Sequence, residues 1–315
     1  MDTSNVRSPA KRGLPQTRAA RPPKPLVSSR IVRVLVTGAA GMIGRATLDL
    51  LAAESIPTTA LVLEEPAEPL PATEVVVGDA REVEAVARAL RDCDAVIHLA
   101  AIPTPLVDPP EDVFGVNTLA TFTVLDQAGQ AGITRAAIAS SYAICGLPFA
   151  PRQLTIPYLP MDTGLPLQIM DPYALSKRVD ELTAEMITAR YGMDVVALRL
   201  PFVGTIDGRL PARAAEFVEH PERGTNDLWC YLDARDAARA MLASLSPADP
   251  GAHVLYVAAE ETLAPYPTEW LLRRFHPGVP RPEFPGRAAP IDLAPARELI
   301  GFTAAYPLAI EERAG

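Results

Sequence analysis

Tyr173 and Lys177 stand four residues apart in the run Tyr173-Ala174-Leu175-Ser176-Lys177. On a helix that spacing leaves them about 40° apart on one face. An ammonium beside a phenol favours the phenolate, so such a pair can pass a proton to or from a carbonyl or alcohol oxygen. The chain has three lysines, Lys11, Lys24 and Lys177, and only Lys177 lies beyond the N-terminal head. Every other basic residue beyond the head is an arginine, whose larger and permanently charged group does not simply replace an ammonium. Ser140 and Ser141 follow the strand-like run Arg135–Ala139 and offer hydroxyls to the same oxygen. No Gly-x-Ser-x-Gly elbow surrounds them, so a serine hydrolase is not implied.

A second constellation lies upstream. Gly38-x-x-Gly41-x-x-Gly44, with Met42 and Ile43 inside it, separates the apolar run Ile31–Val36 from the helical pattern Arg45–Ala53. Glycines in a strand–turn–helix setting let the backbone approach a pyrophosphate and aim helix N–H groups at it. Glu64 and Glu65 fall near the interval, ~20 residues on, at which a carboxylate accepts the adenosine ribose hydroxyls and repels a 2′-phosphate. The pattern therefore predicts NAD, with NADP less favoured. Arg45 is the residue that could serve a 2′-phosphate instead.

The elements that must position these groups are strands at 58–63, 74–77, 95–99, 135–139 and 195–200, with helices at 82–91, 114–128 and 172–191. Asp171 is the expected cap of the last helix and Pro172 its first turn. Strands alternating with helices in this way predict a doubly wound parallel α/β sheet covered on both faces. Prolines crowd 146–172 and 264–295, so those regions are expected to be loop-rich.

Composition narrows the classes. The 315 residues are 49% hydrophobic and 21% charged, enough to build a large core. The net charge of −9 argues against a nucleic-acid partner. Apolar stretches break within about ten residues, short of the ~20 that span a membrane. Cys93, Cys145 and Cys230 are far apart, which predicts neither a metal site nor a disulfide framework and fits a reducing cytoplasm. Residues 1–29 are basic and rich in proline, the composition of a flexible tail. Residues upstream of a natural start and a targeting or binding arm are the other readings of that head.

With these pieces in order, the chain resembles the extended short-chain dehydrogenases/reductases of the NAD-dependent epimerase/dehydratase family over roughly residues 31–310. The matching runs are TGAAGMIG at 37–44, GDA at 78–80, HLAA at 98–101, VNTLATFTVLDQA at 116–128, SSYAICG at 140–146, YALSK at 173–177, LRLPFVG at 198–204 and YLDARDAARA at 231–240. The resemblance implies that Asp79 and Ala80 meet the adenine and that Leu99, Ala100 and Ala101 line the cofactor. It implies that Asn117 steadies the helix facing the site and that Ser141 is the catalytic hydroxyl. Tyr173 would be the acid/base, Lys177 would also hold the nicotinamide ribose, and Pro201 and Phe202 would neighbour the nicotinamide. His98 is expected to be a strand-end histidine without chemistry.

Departures from the family pattern carry information. Cys145 stands where relatives commonly have tyrosine, and nothing in its local sequence would lower its thiol pKa. Tyr142-Ala143 follow Ser141 where the 4,6-dehydratases carry Asp-Glu, which disfavours dehydration. The stretch between Arg199 and Asp236 is shorter than in most nucleotide-sugar epimerases and longer than in the uronate dehydrogenases of the family, and it holds Arg209, Arg213 and Arg223. The long 147–172 segment is expected to wall or lid the substrate. The expected layout is a Rossmann domain at 30–200 plus 229–243, and a substrate cap at 201–228 plus 244–315. The expected function is NAD(P)-dependent hydride transfer at a secondary alcohol or ketone of a sugar-like substrate, in a cytoplasmic homodimer. A nucleotide-sugar epimerase with tightly held NAD and a non-catalytic nucleotide-sensing or scaffold protein are the alternatives.

Overall fold

The computed structural model describes residues 31–152 and 154–314, so the expectation for the 1–29 head lies outside them. Seven parallel strands form one sheet in the order β3-β2-β1-β4-β5-β6-β9. They are β1 Val34–Thr37, β2 Thr58–Val62, β3 Glu74–Val77, β4 Ala95–His98, β5 Arg135–Ser141, β6 Asp194–Leu200 and β9 Ala252–Tyr256. Two short strands, β7 Phe202–Gly204 and β8 Tyr231–Asp233, pair parallel outside it.

Alternation along the strands sends successive side chains to opposite faces. Val34 and Val36 of β1 join a core with Leu48 and Leu51 of α1 (Met42–Ala53) and with Ala237 and Met241 of α6 (Ala234–Ala243). Leu35 between them faces the other core, with Val86 of α2 (Val83–Ala89), Val124 and Leu125 of α3 (Pro110–Gln130), and Ala184 and Ile187 of α4 (Pro172–Tyr191). β2 and β4 flank β1 on its two sides. That reversal of strand order opens a crevice beyond the carboxyl ends of β1 and β4, where ligands of such sheets sit.

A third core lies apart from the two that cover the sheet. It gathers Phe217 of α5 (Arg209–Glu219), Leu271 and Leu272 of α7 (Thr268–Phe275), and the buried Trp229. Leu147, Ile156, Leu159, Met161 and Leu165 of the proline-rich segment pack into the same core, and Met161 bridges to Ile291.

Several boundaries differ from expectation. Residues 252–256, expected in the cap, form the last strand of the sheet and pair with β6 from Val195 to Arg199. As an edge strand β9 buries fully only Leu255 and Tyr256, so its apolar signal is weak. The C-terminal helix α8 (Ala294–Ile300) and Phe302 likewise return to the sheet core. Ser140 and Ser141 do not follow β5 but end it, paired with Arg199 and Leu200. Helix α3 begins four residues before 114, because Pro110 fits a first helical turn and Glu111 and Asp112 favour its positive end.

Candidate active site

Helix α4 carries both members of the expected acid/base pair. The Asp171 carboxylate accepts from the Ala174 N–H at 2.8 Å and caps the helix, with Pro172 in its first turn. Tyr173 follows at once. Its ring is buried against Val113 and Ala143, and Phe149 meets it edge-on at 5.9 Å between centroids. One turn later the Lys177 Nζ lies 5.9 Å from the Tyr173 ring centroid. That ammonium donates to the Ala139 carbonyl of β5 at 2.9 Å and pairs with Asp180 at 3.1 Å.

Ser141 ends β5 just before Ala143, which touches Tyr173. Its Oγ accepts from the Ala143 N–H at 3.1 Å, so the hydroxyl hydrogen remains free to donate. Asn117 is fully buried on α3. It accepts from the Ile102 N–H at 2.7 Å, donates to the Ile102 carbonyl at 3.0 Å, and donates to Ser176 Oγ at 3.1 Å. Asn117 thus ties the loop after β4 to α4 between Tyr173 and Lys177.

The glycine turn is packed too closely for side chains at two of its three glycines. Gly38 sits at φ +62, and a Cβ there would lie 2.7 Å from the Ala100 nitrogen. A Cβ on Gly44 would lie 2.3 Å from the Gly38 carbonyl oxygen. Helix α1 starts at Met42 and Ile43 with no side-chain cap on Gly41 and no acidic residue in its first turn. Its leading N–H groups therefore face outward as donors for an anion. Leu99 and Ala100 donate their N–H groups to Thr37 Oγ1 at 3.2 Å each, which holds the β4 loop, Ala101 included, against this turn. Glu64 is exposed just beyond β2. Ala80 is buried, and beside it the Asp79 carboxylate is engaged by the Arg81 guanidinium, which holds it below its usual pKa. Pro201 is buried after β6, and Phe202 opens β7 with the Arg209 guanidinium 4.6 Å from its ring centroid.

His98 bonds Thr37 Oγ1 through Nδ1 at 2.8 Å and Thr121 Oγ1 through Nε2 at 3.1 Å. Burial, and then the Lys177 charge, push it down to about 3, so it is a neutral structural group. Burial pushes the Cys145 thiol up to about 11, and it offers no thiolate. Among the described residues no cluster of His, Cys, Asp and Glu could hold a metal, and no helix is long and apolar enough to cross a membrane.

Sequence reasoning missed three charged groups beside this pair. Asp180 bonds Lys177, and Glu181 bonds Arg199 of β6 through both oxygens. The one available signal was Arg199 itself, a cation inside an apolar strand run that must find a buried partner.

Comparison with known proteins agrees with this fold. The model of the NAD dependent epimerase/dehydratase family matches residues 34–258. Uronate dehydrogenase of Pseudomonas syringae pv. tomato is 28% identical over 77% of this chain and 78% of its own length. UDP-glucose 4-epimerase of Azospirillum brasilense is 32% identical over 53% of this chain and 48% of its own length. The structure of MoeE5 in complex with UDP-glucuronic acid and NAD superposes with a TM-score of 0.64 at 22% identity, covering 87% of this chain and 94% of MoeE5.

Proposed function

The chain belongs to the NAD dependent epimerase/dehydratase family, and from that premise we propose that it is a net NAD-dependent oxidoreductase acting on a sugar-like substrate. The carrying observation is the phenol of Tyr173 and the ammonium of Lys177 on adjacent turns of α4, set against the end of β5 where Ser141 lies.

NAD would lie across the crevice, its pyrophosphate on the turn from Gly38 to Gly44 and its adenosine ribose at Glu64. Asp79 and Ala80 would flank the adenine, Leu99, Ala100, Ala101 and Asn117 the middle of the cofactor, and Pro201 and Phe202 the nicotinamide. When bound, NAD takes up the hydride. Ser141 donates its hydroxyl hydrogen to the substrate oxygen and fixes its place. Tyr173 accepts the hydroxyl proton as the carbonyl forms. Lys177 places positive charge beside the phenol and holds the ribose hydroxyls.

The substrate we favour carries an anionic group. Arg209 is exposed over Phe202 and makes no ion pair among the described residues. It supplies a cation at the mouth of the site, which suits a uronate. The match to a uronate dehydrogenase also spans most of both chains, while the match to an epimerase spans about half. The proline-rich 147–172 segment, packed into the cap core, would wall the substrate. We further propose a homodimer in the cytoplasm. Leu119 and Phe122 on α3 and Leu175, Leu182 and Met186 on α4 are exposed apolar side chains on two packed helices, an apolar face suited to a second copy.

Mass spectrometry of cofactor released on denaturation tests the net reaction. Protein purified without nucleotide should be cofactor-free and bind NAD reversibly. Stoichiometric retained NAD would favour an epimerase that returns its hydride in place, and NADP would overturn the role given to Glu64.

A further inference from the structure

We propose that Asp180 is a positioning residue for the acid/base pair: it supplies the counter-charge that anchors the Lys177 ammonium against the end of β5 and leaves one N–H of that ammonium for the cofactor ribose. This role rests on the assignment of Lys177 to ribose binding made above.

An ammonium has three donors. Two are taken, by the Ala139 carbonyl at 2.9 Å and by Asp180 Oδ2 at 3.1 Å. Both side chains of the pair are buried, at 4% and 1% exposure. A buried cation without a partner would shed its proton. Burial does push Lys177 down, but the Asp180 charge, with Tyr173 and Glu181 behind it, outweighs this and leaves Lys177 raised. Burial raises Asp180 in turn, against the Lys177 charge and the Thr121 hydroxyl, which favour its ionised form.

The other groups facing the pair do not duplicate Asp180. Glu181 on α4 is committed to Arg199 on β6. His98 on β4 is neutral. Thr121 on α3 is shared with His98, and His98 with Thr37, the residue before the glycine turn. Buried hydrogen bonds therefore run from the residue before the glycine turn through His98 to Thr121, whose hydroxyl favours the ionised form of Asp180.

The lysine count makes a direct test available. Lysine-selective isotope labelling yields three side-chain signals, two of them from Lys11 and Lys24 in the head. Lys177→Arg identifies the third by its loss. The full-length protein is then titrated by NMR through alkaline pH as wild type and as Asp180→Asn, which keeps an acceptor oxygen but removes the charge. The Lys177 midpoint should fall by roughly one pH unit or more in Asp180→Asn. Asp180→Glu should restore it, and Asp180→Ser is a second neutral variant should Asp180→Asn not fold. Equal midpoints in wild type and neutral variant would overturn the anchor. Failure of the wild type to bind NAD would overturn the cofactor reading, and the ribose half of this role with it, while leaving the measured midpoint shift standing.

Discussion

Glu181 and Arg199 meet in a two-pronged buried ion pair, 2.8 Å from Oε1 to Nε and 3.0 Å from Oε2 to an Nη. The pair joins α4 to β6 one turn beyond Lys177. Ser140 of β5 donates to Glu181 Oε1 at 2.8 Å, and Arg199 reaches the Tyr256 hydroxyl of β9 at 3.3 Å. Four elements thus share one charge pair. Removing one member of a buried pair leaves the other uncompensated, at a cost of about 3–5 kcal/mol. Glu181→Ala should lower the unfolding free energy by that order in urea denaturation. A loss under about 1 kcal/mol would show that water or a neighbour replaces the carboxylate.

His98 gives the protein an acid sensitivity of defined sign. Burial holds it down to about 3 in the fold, whereas an unfolded histidine titrates near ~6.5. Above the unfolded value both states are neutral and the contribution is complete. As pH falls from there towards 3, the unfolded chain takes up a proton that the fold refuses, and stability drops by up to about 1.4 kcal/mol per pH unit. Wild type should therefore lose stability faster than His98→Gln on going from about pH 6 to about pH 4. Parallel unfolding curves for the two proteins would contradict this.

The glycine turn predicts a graded series. A Cβ on Gly44 would strike the Gly38 oxygen at 2.3 Å and the Ala39 Cα at 2.7 Å, and backbone cannot swing aside. A Cβ on Gly41 would meet only the Gly38 oxygen, at 3.3 Å. Gly44→Ala should cost about 1–3 kcal/mol of stability and weaken NAD binding at least tenfold by calorimetry, while Gly41→Ala should do less on both counts. Equal effects would mean that the turn is not read by close approach.

Arg209 should discriminate by charge. With an acidic sugar, Arg209→Ala should raise KM about tenfold and leave kcat within a few-fold, since the contact is uniform to ground and transition states. With a neutral aldose neither constant should move much. Equal losses on both substrates would assign Arg209 to packing on Phe202 instead.

Local chemistry was legible in the chain. Asp171 and Pro172 marked the start of α4, and Gly192, at φ +69, follows its last residue. The glycine turn could be read because both its residue types and its neighbours are local. What escaped was tertiary. Glu181 finds Arg199 across 18 residues and two elements, and no spacing rule names that partner. β9 was hidden because an edge strand needs little apolar alternation. The Arg81 guanidinium that holds the Asp79 carboxylate, two residues away, was likewise announced by no motif.

The central claim, hydride transfer at a sugar hydroxyl with Tyr173 as the base, is tested most directly by NADH formation. Wild type and Tyr173→Phe should each be mixed with NAD and a panel of uronates and aldoses, and NADH fluorescence followed. Wild type should produce NADH with at least one acidic sugar, and Tyr173→Phe should be slower by about 10²–10⁴-fold while still binding NAD. Comparable rates in the two proteins, or no NADH from wild type with any sugar, would contradict it.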